Sequence, residues 1–124
     1  MNHLFLSIAG INGFLSVALG AFGAHGLKNK LSPDMMTVFQ TAVQYHQVHS
    51  VALLVVALLL GNSASGAGTY AGWFFVAGIV LFSGSLYTLS ITEIRILGAI
   101  TPVGGLAFLA GWLCLAWMGF QIRG

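Results

Sequence analysis

Apolar residues run along this chain in stretches too long for the interior of a soluble fold. Leu4 to Ala24, Tyr70 to Ile91 and Leu97 to Phe120 each supply the roughly 20 mostly apolar residues that a helix needs to cross a hydrocarbon core. A further stretch, Val51 to Leu60, is unbroken but too short to cross a core about 30 Å thick at about 1.5 Å per residue. Completing it means counting back to Thr41, which draws Gln44, Tyr45, His46, Gln47, His49 and Ser50 into the bilayer or its boundary. Still further upstream, Ser32 reads as an N-cap and Pro33 as the first helical residue. Asp34 follows as an acidic group at the positive end of the helix dipole.

The pattern therefore predicts an all-α fold, an integral membrane four-helix bundle with transmembrane spans at about 4–24, 40–61, 70–91 and 97–120. The second helix carries an interfacial extension from about residue 33, and residues 1–124 form a single transmembrane domain. The first span reads as retained rather than as a signal peptide, because no basic residue precedes it. GNSASGAGT reads as a short uncharged linker between spans two and three, and TEIR as a tight turn between spans three and four. Lys28, Lys30 and Arg95 then share one side of the membrane, opposite Arg123 and the terminal amine. By the positive-inside rule, this predicts termini outside.

Composition sharpens the assignment. Hydrophobic residues make up 58% of the chain and charged residues 5%, against about 25% charged in a soluble domain. Such a surface cannot be solvated by water, so the bilayer is the main solvent. The net charge is only +2, with no basic run, which removes nucleic acid as a partner. The single cysteine, Cys114, lies in an apolar run, excludes an intrachain disulfide and reads as a buried thiol.

Topology brings the end of helix 1, the start of helix 2, the end of helix 3 and the start of helix 4 to one membrane face. That face collects a candidate polar site: His25, Tyr45, His46, His49, Ser83, Ser85, Tyr87 and Thr101, with Pro102 beside them. His3 falls on the opposite face. On helix 2, Tyr45 and His49 share one stripe, and Gln40, Gln44 and Gln47 form a second on roughly the other side. Neither suits lipid, so both are expected to face neighbouring helices, a second subunit or a wet cavity, which points to an oligomer.

Small residues at three- and four-residue spacing mark helix packing at Ser16, Gly20, Gly23, Ala24 and Gly26 in helix 1, and at Gly105 and Gly111 in helix 4. Gly104 and Gly105 leave room for a bulky neighbour, for which the His25 loop is the candidate.

GAFGAHGL, QTAVQYHQVHSVALL, LFSGSLY and TPVGGLAFLAGW occur in order, one per helix. Together they resemble the YgdD/YwdK-like family of small bacterial membrane proteins, over almost the whole chain. The resemblance implies a four-helix, multi-pass protein of the bacterial cell (inner) membrane, with unknown biochemical function and no catalytic assignment to carry over. The positions matching its pattern are Gly20, Gly23, His25, Gly26, Tyr45, His49, Ser83, Gly84, Ser85, Tyr87, Thr101, Pro102, Gly104 and Gly105. His46 falls where members vary. Some members carry basic residues on the second loop and the tail, which implies termini inside, against the charge count above.

Three functional classes follow. The first is a non-enzymatic scaffold or accessory subunit whose polar face binds membrane lipid, a membrane-protein partner or further copies of itself. In the second, His25, His46 and His49 hold a metal, although no cofactor is required by the sequence. The third is a small transporter or channel, disfavoured because Asp34 and Glu93 fall at the membrane boundary. Catalysis is not expected: no acidic residue stands beside a serine or histidine, and no phosphate loop or HExxH motif occurs.

Overall fold

The computed structural model describes residues 2–61 and 66–123. Helix α1 runs Asn2–Ala18 and continues through a widened π turn, Leu19–Gly23, into Ala24–Leu27. Helix α2 spans Pro33–Leu60. Helix α3 runs Gly66–Gly78, passes through a second π turn at Ile79–Ser83 and ends with Gly84–Thr92. A 3-10 turn, Arg95–Ala99, leads into α4, Thr101–Arg123. No strand occurs among the described residues, and four helices are long and apolar enough to cross a membrane.

The ends of these helices follow from local chemistry. Ser32 caps α2, its hydroxyl accepting the Met35 amide at 3.2 Å, with Pro33 in the first turn where no N–H is needed. At 28 residues α2 is about 42 Å long, longer than a core of about 30 Å, as an interfacial extension requires. Its end is set by Gly61, whose positive φ of 44° a side chain would disfavour. Helix α3 stops at Glu93, in the left-handed region at φ 58°, with its amide bonded to the Leu89 carbonyl at 2.7 Å. The TEIR segment is thus the expected tight turn.

Two boundaries differ from the sequence reading. Helix α3 begins at Gly66, inside the stretch read as linker, and the rest of that linker, residues 62–65, lies outside the described residues. Regular α-helix in the fourth span begins at Thr101 rather than Leu97, because the chain first makes the 3-10 turn.

Helix α1 lies on α2, α2 on α3, and α3 on α4, so α2 and α3 occupy the middle of the bundle. Phe5, Leu53, Val56, Phe75, Phe108 and Met118 are core side chains. Between membrane helices lipid supplies no hydrophobic force, so association rests on close packing. Here aromatic rings fill the space left by glycines. A Cβ on Gly111 would lie 2.7 Å from the Phe75 ring, one on Gly72 2.5 Å from the Phe5 ring, and one on Gly78 would collide with Phe108. Gly104 goes further and abuts α3 backbone, where a Cβ would sit 2.7 Å from the Leu81 carbonyl carbon and 2.8 Å from the Phe82 Cα.

The expected packing residues divide accordingly. Gly20 lies against Val43 and Gly23 against Phe39, both of α2, while Ser16 is buried and Ala24 half-buried. Gly111 receives Phe75, but a Cβ on Gly26 would meet nothing within 4 Å, so Gly26 takes no part in packing. Gly105 meets only an ordinary contact, 3.8 Å to Phe82. The close approach falls one residue earlier, and its partner is α3 rather than the His25 loop. One step turns a helix by about 100°, enough to move a position off the contact line.

Candidate functional site

The polar residues of α2 sit at the junctions between helices. His46 and His49 stand one turn apart, yet they face different neighbours. His46 is buried and bridges α1 to α3: Nε2 is 2.9 Å from Asn12 Oδ1, and Nδ1 is 2.9 Å from the Tyr87 hydroxyl. Asn12 donates through Nδ2 to the Ile8 carbonyl, so its oxygen faces the histidine and can only accept. His46 therefore donates from Nε2 and accepts the Tyr87 proton at Nδ1.

His49 has the opposite tautomer. Its Nδ1 donates to the Tyr45 carbonyl at 2.7 Å, and its Nε2 accepts the indole N–H of Trp112 at 3.1 Å. The ring stacks on Phe108 with centroids 3.5 Å apart and planes 11° apart. This ties α2 to α4.

The hydroxyls complete the pattern. Ser83, fully buried on the π turn of α3, donates to the Ala42 carbonyl of α2 at 2.9 Å, and Ser85 meets Thr101 of α4 at 2.7 Å. Such interhelical bonds contribute on the order of 0.6 kcal/mol each inside a bilayer. Among the described residues no buried side-chain nitrogen or oxygen lacks a partner.

The expected polar site is thus a distributed set of ties and not one pocket. His46 joins Tyr87, Ser85 joins Thr101, His49 joins Trp112, and Tyr45 contributes its carbonyl while its ring packs on Phe82. His25 stands apart and exposed. Gly23 is level with Phe39, and His49 lies ten residues further along α2, about 15 Å deeper. The pocket expected between His25, His49 and Tyr87 does not form, because the end of α1 meets the first turns of α2 and not its middle.

This arrangement also bears on metal binding by His25, His46 and His49. The lone pair of His46 receives Tyr87, that of His49 receives Trp112, and His25 is remote from both. Among the described residues no three His, Cys, Asp or Glu side chains converge as a metal site requires.

Two partners escaped the sequence reading. Asn12 and Trp112 each lie inside an apolar run, where one polar atom has no spacing signature. The rule that a buried indole or amide must find a partner was the only available signal.

Outside these ties, a groove of about 550 Å³ opens between α2 and α4 over Tyr45, His49, Phe108 and Trp112. Beside it, on the outer face of α2, Gln40, Gln44 and Gln47 are exposed.

Residues 19–105 match the family described as Protein of unknown function (DUF423). The chain belongs to the DUF423 family. A DUF423 relative, the UPF0382 membrane protein YwdK of Bacillus subtilis (strain 168), is 53% identical over 113 residues, covering 90% of this chain and 92% of its own. The UPF0382 membrane protein SH2409 of Staphylococcus haemolyticus (strain JCSC1435) is 46% identical over 121 residues, covering 98% of each chain. No solved structure matches. The DUF423 chain is accordingly a multi-pass membrane protein of a family whose function is unknown, and its four-helix architecture agrees with the relatives' description as membrane proteins.

Proposed function

We propose that this protein is a non-enzymatic scaffold or accessory subunit of the bacterial cell membrane that engages another membrane component through the outer face of α2. One observation carries the reading. Gln40, Gln44 and Gln47 are exposed on a helix that crosses the membrane, and among the described residues their amides make no side-chain hydrogen bond, whereas the buried polar groups are matched to one another. Gln47 stands midway along α2. An amide facing acyl chains at that depth costs several kcal/mol, roughly, unless a partner supplies donors and acceptors.

Catalysis draws no support from the interior. The histidines, serines and tyrosine there are engaged in ties between helices, and the acidic residues Asp34 and Glu93 stand at helix ends. The transporter reading is weakened by the same placement of the carboxylates.

A photo-crosslinking side chain at position 47 in native membranes tests the proposal, with Leu113, 71% exposed on α4, as the control position. Defined protein adducts are expected at 47 and not at 113. Equal labelling by lipid alone at both positions would overturn the proposal.

A further inference from the structure

The outer face of α2 carries more order than three amides. Gln40, Gln44, Gln47, Val51, Leu54 and Leu58 follow one another at alternating spacings of four and three, and every one is exposed. Val51 is 59%, Leu54 37% and Leu58 67% accessible. At about 100° per residue these positions stay on one narrow line, opposite the buried line through Ala42, His49 and Val56. A four-three repeat is the seam of a left-handed helix pair crossing at about 20°.

We infer that this seam binds the same seam of a second copy, giving a parallel homodimer through α2. The inference rests on the scaffold reading and names its partner. The chemistry favours self-association. A carboxamide offers both donors and an acceptor, so a row of glutamines is complementary to itself. Two copies inserted in the same orientation are related by a two-fold axis along the bilayer normal, and each residue then meets its counterpart at its own depth. Gln40, Gln44 and Gln47 pair with themselves without any further adjustment, and the aliphatic half of the seam closes below them. An acyl chain has no group to offer these amides. A foreign helix would need polar side chains at the same three depths.

The test uses the full chain with Cys114→Ser, since Cys114 is half-buried on α4 and off the seam. Single cysteines are introduced by Gln44→Cys, Val51→Cys and, as control, Leu113→Cys, and native membranes are oxidised. Disulfide-linked dimers at positions 44 and 51, at least fivefold more abundant than at 113, are expected. Gln40→Leu with Gln44→Leu should reduce co-purification of two differently tagged copies at least fivefold while leaving the thermal melting of the bundle in place, because both side chains are exposed; Gln47 is kept, since its amide nitrogen lies beside Gly20 of α1. Equal cross-linking at all three positions overturns the dimer. Photo-adducts at position 47 that lack a second tagged copy, without disulfide dimers, also overturn it but leave the scaffold reading standing. Absence of any α2 adduct removes both.

Discussion

Gly104→Ala is the most informative single substitution in this bundle. The added methyl would abut three backbone atoms of α3, including the Leu81 carbonyl carbon at 2.7 Å and the Phe82 Cα at 2.8 Å, where ordinary contact begins at 3.4 Å. Backbone cannot rotate aside as a side chain can. The two helices must part by more than 0.7 Å, the shortfall at the Leu81 carbonyl carbon, because the Phe82 amide nitrogen lies closer still. A gap of about 0.5–1 Å already forfeits a quarter to a half of the dispersion attraction between facing atoms. The loss would extend to Phe108 over Gly78 and Phe75 over Gly111, which share the interface. Overpacking of this kind costs about 1–3 kcal/mol, and the rigid partner puts the expected value near the top of that range, at about 3 kcal/mol. Gly105→Ala is the matched control. Its methyl meets Phe82 at 3.8 Å, an ordinary contact, and better helix propensity should stabilise α4 by up to about 1 kcal/mol. Reversible unfolding in mixed micelles, followed by tryptophan fluorescence, measures both. If Gly104→Ala unfolds with wild-type stability, or if the two alanines destabilise equally, the close crossing of α3 and α4 at this residue is refuted.

Three further outcomes follow from the polar ties. His46→Ala strips partners from Asn12 and Tyr87 at once and should cost about 2–4 kcal/mol, while a double-mutant cycle with Tyr87→Phe should return a coupling of about 0.5–1.7 kcal/mol; a coupling of zero would remove the bridge. Trp112→Phe deletes the donor to His49 Nε2 but keeps an aromatic ring beside Phe75, so a loss of about 1 kcal/mol is expected in the same unfolding assay, and Ser83→Ala should lose about 0.6 kcal/mol for the bond to Ala42. Because both imidazole lone pairs are engaged, adding zinc or a chelator should leave the melting temperature of the purified protein unchanged, and a saturable rise with zinc would reopen the histidine-ligand reading.

The sequence alone was sufficient for the membrane class, the four spans and the start of α2. Those properties depend on local composition and on caps such as Ser32, which act within a few residues. It also located the second polar stripe, Gln40, Gln44 and Gln47, because helical periodicity is a property of one segment. Which histidine met which neighbour was not legible. His46 and His49 differ by three residues and so stand only about 60° apart around α2, and only the position of α1 on one side and α4 on the other assigns one to Asn12 and the other to Trp112. The remoteness of His25 has the same origin, since the height at which α1 meets α2 is fixed by Gly20 on Val43 and Gly23 on Phe39. Likewise, spacing alone could not separate Gly104 from Gly105. Contact between helices depends on rotation and depth, and the chain encodes these only through side chains from distant segments that fit together.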